Sequence, residues 1–200
     1  MRYQSEPEHR HGQLADSAIV LANLGTPDAP TAAAVRPYLK EFLSDPRVVE
    51  IPKAVWWFIL NGIILPLRSK ASAKKYASIW SAEGSPLQVH TTRQALLLQG
   101  FLGERGHRVR VLPAMRYGKP ALASVLQQLK EEGCGRILLL PAYPQYSGTT
   151  TASLWDAVFR HYGAVRNIPE LRLVRGYHDD PGYIDALRES VLRHWQAHGR

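Results

Sequence analysis

Tyrosine, arginine, serine and histidine recur at four places where an apolar run gives way to a polar turn. The first is Asn23-Leu24-Gly25-Thr26-Pro27 and the second Met115-Arg116-Tyr117-Gly118. The third is Pro141-Ala142-Tyr143-Pro144-Gln145-Tyr146-Ser147 and the fourth Gly176-Tyr177-His178-Asp179-Asp180. Rings offer flat apolar faces, and arginine and hydroxyls offer donors for carboxylates. This mixture suits a large flat ligand with acidic substituents better than a nucleotide. No GxGxxG follows the first apolar run and no GxxxxGK(S/T) occurs. Ser147-Gly148-Thr149-Thr150-Thr151 precedes a helical stretch, where it would hold a phosphate or carboxylate, or simply cap the helix. Arg116 beside Tyr117 reads either as an anion ligand or as half of a structural ion pair. His194 and His198 share a helix face, which the dipole at a helix C-terminus favours, and no third metal ligand accompanies them. Asp179 and Asp180 are either metal ligands beside His178 or caps for a helix opening near Pro181.

Residues of this kind need a scaffold, and the apolar periodicity supplies one. Residues 18–24 form a continuous apolar strand, and 31–44 follow at helical spacing with Thr31 as N-cap and Asp45-Pro46 as stop. Residues 70–80 are a short helix, and 86–103 are a longer one opened by Ser85-Pro86. Strands at 108–114, 136–141 and 171–176 then alternate with helices at 119–132, 149–162 and 181–197. Such alternation means parallel pairing through crossovers, with strands buried on both faces. The fold class is α/β, a doubly wound parallel sheet flanked by helices, whose ligand site lies beyond the carboxyl ends of the strands. The last helix carries Ile184, Leu187, Val191, Leu192 and Trp195 on one face with no later element to cover it, so the chain reads as truncated.

Residues 54–67, AVWWFILNGIILPL, are apolar between Lys53 and Arg68. They are too few for a bilayer crossing, which needs about 20 residues, and Asn61, Gly62 and Pro66 interrupt them. They are either a buried helix or an exposed apolar lip able to touch a membrane surface or a greasy ligand. The 200 residues carry a formal net charge of +8 with no run of five or more like charges, so the charge favours an anionic partner only weakly and no nucleic acid is expected. The single cysteine, Cys134, excludes a disulfide framework and a CxxC-type metal site within the chain. With no signal peptide apparent, the expected compartment is the cytoplasm, with membrane association left open through 54–67.

Taken together and in order, several segments resemble the ferrochelatase family. They are Asn23–Pro27, Tyr38-Leu-Lys-Glu-Phe-Leu-Ser-Asp45, Ile64-Leu-Pro-Leu-Arg68, Tyr76 with Gly84-Ser-Pro86, and Tyr143-Pro-Gln-Tyr-Ser147 followed by Thr149–Ser153 and Trp155-Asp156. The resemblance implies a chelatase-like fold of two similar α/β domains about a cleft. On this basis 17–165 are the first domain with a cleft lip at 54–86 and 166–200 the start of the second, while the polar residues 1–16, which lack an apolar core, read as a disordered or loosely attached tail. The implied activity is insertion of Fe²⁺ into a porphyrin, protoporphyrin IX to protohaem, with two protons released. The implied porphyrin contacts are Arg68, Tyr76 and Ser85, with Leu24, Arg116, Tyr117 and Tyr143 lining the cleft.

The logic is chemical as well. A porphyrin presents an apolar disc about 10 Å across, suited to Leu, Trp and Tyr, and propionates suited to Arg or hydroxyl donors. The resemblance also marks what is missing. The family's metal-handling histidine lies in a Ser-x-His-Gly-x-Pro-type motif that does not occur here, and its partner glutamate follows later still. No catalytic or metal residue is therefore expected within the chain, and Fe²⁺ enters as a substrate. The cluster-ligating cysteine of some members falls where this chain has Gly148, so no iron–sulfur cluster is expected. Two other readings stand beside this one: a porphyrin-binding fragment without activity, and an α/β enzyme handling phosphorylated ligands through Ser147–Thr151.

Overall fold

A computed structural model describes residues 3–8 and 16–199. In chain order the elements are β1 (Ser17–Thr26), α1 (Ala32–Leu43), α2 (Lys53–Ile59), a π turn (Leu60–Ile64), α3 (Leu65–Ile79) and α4 (Pro86–Glu104). There follow β2 (Arg110–Gly118), α5 (Leu122–Glu131), β3 (Arg136–Pro141), a second π turn (Gly148–Ala152), α6 (Ser153–Tyr162), β4 (Glu170–Leu173) and α7 (Pro181–His198). The four strands form one parallel sheet in the order β2-β1-β3-β4.

Alternation along β1 divides the core. Ala18, Val20 and Ala22 face α5 and α6, meeting Leu126, Leu129, Leu154 and Val158. Leu21, with Ile19 partly buried, faces the other way against Ala95 of α4 and Val111 of β2. Helices on both faces explain why the strands read as unbroken apolar runs. The doubly wound α/β architecture is thus observed. Pro113 lies within β2, which it can do because β2 is an edge strand.

A third cluster joins α1 to the lip. Leu43, Leu60 and Leu65 are buried together with Phe42, Trp56 and Ile64 packed around them, and Trp56 Nε1 donates to Leu43 O at 2.6 Å. Residues 53–79 are one uninterrupted helical run rather than an apolar stretch followed by a short helix. Both readings of the lip are realised on different faces. Leu60 and Leu65 are buried, whereas Val55, Trp57, Phe58, Ile63 and Leu67 stand out, Phe58 and Leu67 at 70% exposure.

β4 pairs with β3, Arg136 to Glu170 through Leu139 to Leu173, so the sheet continues past residue 165. Within the segment expected to be a disordered tail, residues 3–8 are held, with Gln4 N–H donating to Ala164 O at 2.9 Å. Residues 1–2 and 9–15 of that tail lie outside the described residues.

Candidate functional site

The carboxyl ends of β1 and β2 are drawn tightly together. Gly25 and Gly118 both have positive φ, +112° and +82°. A Cβ on Gly25 would lie 1.7 Å from Tyr117 O, and one on Gly118 2.5 Å from Thr26 O, so neither position tolerates a side chain. The strands consequently stay paired as far as Thr26 and Gly118. Residues 115–118, expected to form a loop at the rim, are strand.

That extension decides the fate of Arg116 and Tyr117. Tyr117 is 0% exposed and the Arg116 side chain 10%. Both bond to Asp45, which directly follows α1 and whose side chain is 4% exposed. Asp45 Oδ2 accepts from Arg116 Nη2, from the Tyr117 hydroxyl at 2.8 Å and from Ser153 Oγ at 2.6 Å, while Oδ1 accepts the Arg47 N–H at 2.8 Å. Arg116 Nε also donates to Ser153 Oγ at 2.8 Å. Burial opposes ionisation of Asp45. The hydrogen bonds from Ser153, the Arg47 N–H and Tyr117, with the charge of Arg116, outweigh it and hold the carboxyl below its ordinary pKa. Burial, chiefly, pushes the Tyr117 hydroxyl up to about 12. Through Asp45, Arg116 and Tyr117 therefore tie the end of α1, β2 and α6 together.

From this node a line of rings leads outward. Phe42 meets Tyr117 edge-on at 5.2 Å, Tyr38 stacks on Phe42 at 6.3 Å, Tyr76 of α3 meets Tyr38 at 6.2 Å, and Trp80 meets Tyr76 at 6.4 Å. The Tyr38 hydroxyl donates to Gly25 O at 3.2 Å, and burial drives its pKa far above the ordinary value. Beside Tyr38 a groove of about 400 Å³ opens at the strand ends, bounded by Thr26, Asp28, Glu41 and Lys119.

The remaining expected residues divide between interior and surface. Tyr76 is half-buried within the line of rings. Ser85 is 4% exposed, and its Oγ accepts from the Thr26 hydroxyl at 2.8 Å, so it neither caps α4 through its side chain nor points into solvent. Leu24 is half-buried in β1. Tyr143 is half-buried beyond β3, with its hydroxyl enclosed and unpartnered and its pKa raised by burial. Arg68 is exposed on α3, and among the described residues no carboxylate pairs with it. It lies eight residues before Tyr76, hence about 12 Å along the axis and within about 80° of it around the helix. Tyr76 thus joins the line of rings, Ser85 bonds Thr26 at the end of β1, Arg68 stands exposed on α3, and the Arg116 and Tyr117 side chains are enclosed.

Asp45 is the residue that sequence reading missed. It entered the sequence reading only as a helix stop with Pro46 and as the end of the Tyr38–Asp45 segment, and a turn aspartate and a buried one look alike in sequence. The Ser147 hydroxyl accepts from the Thr149 N–H at 3.3 Å, which is a cap. Asp180 caps α7 through the Tyr183 N–H at 3.0 Å. His194 and His198 stack on each other at the end of α7. Among the described residues no three of His, Cys, Asp and Glu gather in a metal-holding group.

Comparison with known proteins agrees with this architecture. The family model described as Ferrochelatase matches residues 16–200. The chain is similar to ferrochelatases of Janthinobacterium sp. (strain Marseille), 67% identical over 200 residues, and of Herminiimonas arsenicoxydans, 66% identical over 200 residues. A ferrochelatase of Polaromonas sp. (strain JS666) is 62% identical over 204 residues. In each case the whole chain is covered, against 54%, 54% and 56% of the relative, so the chain spans about half the length of the curated relatives it matches. A match reaching from the start of β1 through the lip, the strand-end glycines and α7, at two-thirds identity, places the chain in the ferrochelatase family.

Proposed function

We propose that the protein to which this chain belongs inserts Fe²⁺ into a porphyrin, converting protoporphyrin IX to protohaem with release of two protons, and that this chain supplies the porphyrin-holding wall. The observation that carries the reading is the lip. A helical run presents Trp57, Phe58, Ile63 and Leu67 to solvent and ends its apolar stretch at Arg68, an arginine without a carboxylate partner among the described residues. Exposed apolar surface beside an unpaired guanidinium matches an apolar disc that carries propionates.

Each group has a separate task. Lip side chains cover the macrocycle and exclude water. Arg68 fixes a propionate and so orients the ring. Tyr76, braced edge-on between Tyr38 and Trp80, offers a rigid ring surface. Bending the ring exposes pyrrole nitrogens to the metal and costs a few kcal/mol, which contacts remote from the metal can offset. The two pyrrole protons then need a base of near-neutral pKa. The resemblance puts that base in a Ser-x-His-Gly-x-Pro-type motif, so the 200-residue chain by itself is expected to bind porphyrin without turnover.

The test is steady-state iron insertion by the full-length protein. Arg68→Ala is expected to raise the porphyrin KM about tenfold, roughly 1.4 kcal/mol, with Lys70→Ala near wild type. Equal effects of the two substitutions would remove Arg68 from the site. The same lip, flanked by Lys53 and Lys70, supports peripheral contact with an anionic membrane surface, to be read by sedimentation with vesicles. Among the described residues no helix is long and apolar enough to cross a membrane. For Ser147–Thr151 the cap is the simpler reading, since the Ser147 hydroxyl accepts the Thr149 N–H.

A further inference from the structure

At the opposite end of the sheet from the rim, where α5 and α6 finish and β4 begins, a nearly buried cation has its partners on the N-terminal segment. Lys130 lies in the last turn of α5 with its side chain 5% exposed. Its Nζ donates to Ser5 O at 2.5 Å and stands 3.6 Å from Glu6 Oε2. The other carboxylate oxygen of Glu6 accepts two consecutive backbone N–H groups, of Arg166 at 3.1 Å and of Asn167 at 3.4 Å. Successive N–H groups aimed at one oxygen form a concave anion nest, and the adjacent ammonium adds charge. The Arg166 guanidinium lies over the Tyr3 ring at 5.1 Å, which pins the segment a second time.

The surroundings fit a cation held for an anion. His161 of α6 lines the groove of about 690 Å³ that Gln4 and Ser5 border, and its Nε2 is buried without a partner. Burial, and then the charge of Lys130, hold His161 below its ordinary pKa. Lys130 is the one side-chain cation, among the described residues, with a polar atom on the Glu6 carboxylate.

We propose that Lys130 and the backbone N–H groups of Arg166 and Asn167 form an anion-binding cradle that the chain fills with its own Glu6, so that residues 3–8 are latched onto α5 and the α6–β4 connection. The ligand class is a carboxylate or a tetrahedral oxyanion. Glu6 is tethered and present at high effective concentration, so a free anion enters only when that carboxylate is removed. The cradle shares no residue with the proposed porphyrin wall and stands or falls apart from it.

Inorganic phosphate is the probe and the full chain the sample. Titration calorimetry should show no saturable phosphate uptake by wild type, one site in Glu6→Gln, and none in the Glu6→Gln/Lys130→Met double variant. Hydrogen exchange at the Arg166 and Asn167 amides should quicken about tenfold in Glu6→Gln and slow again when phosphate is added. Circular dichroism matching wild type confirms that the variants are folded. A folded Glu6→Gln that takes up no phosphate, a double variant that binds it equally well, or amide exchange unchanged by Glu6→Gln would each overturn the cradle.

Discussion

Asp45 gathers donors from β2 and α6 onto one carboxylate and pairs with Arg116, whose side chain is nearly buried. Asp45→Asn keeps the shape and removes the charge, leaving Arg116 enclosed without a counter-charge. Breaking a buried pair from one side costs about 3–5 kcal/mol, and urea unfolding at pH 7 measures it. The sign with pH follows from the depressed pKa of Asp45. Its contribution is fully present above the unfolded-state value of about 3.9 and is lost as pH falls through the lower folded value. The gap between wild type and Asp45→Asn should therefore shrink from pH 7 to pH 3, and a constant gap would contradict the charged node. The same geometry explains why Arg116 and Tyr117, read as rim residues, are enclosed in this structure. Ending the second strand at residue 114 put them in a loop, although the Gly25 and Gly118 pair was visible in the sequence. Its meaning, two backbones within touching distance, depends on which strands are neighbours, and a single sequence does not disclose that.

At the scale of elements, periodicity located every strand and most helices but not the continuity of the lip. Asn61, Gly62 and Pro66 look like breakers. In the structure Leu65 N–H bonds Leu60 O, five residues back, and the widened turn carries the helix on into Pro66, whose ring would otherwise crowd the preceding turn. Period 3.6 cannot be traced across an inserted residue, so the run read as two pieces. The helix also separates stability from binding. Leu60→Ala, at a site buried with Leu43 and Leu65, should cost about 2–5 kcal/mol in denaturant unfolding. Phe58→Ser, on the open face, should stay within about 0.5 kcal/mol of wild type while weakening porphyrin binding as followed by tryptophan quenching. If Phe58→Ser destabilises as much as Leu60→Ala, the outer face is packed and the lip is no ligand surface.

For the whole molecule, alternation of strand and helix was enough to read a parallel doubly wound sheet. The order β2-β1-β3-β4 was not legible, since crossover lengths permit several orders. Nor was the membership of β4, which depends on its ladder with β3. Beyond β4, α7 has no buried residue among those described, and Ile184, Leu187 and Val191 lie within about 60° of one another around it while remaining 46–49% exposed. A narrow apolar stripe on a helix is ordinarily covered, and the chain spans about half the length of its relatives. The stripe is thus expected to be buried by the remainder of the full-length protein. In that protein Leu187→Ala should cost about 2–5 kcal/mol, as buried leucines do. In the 200-residue chain the same substitution should fall within about 0.5 kcal/mol of wild type, as exposed positions do. Denaturant unfolding of both lengths, each with and without the substitution, gives the comparison, and an equally small cost in both would leave α7 as a solvent-facing helix whatever the chain length.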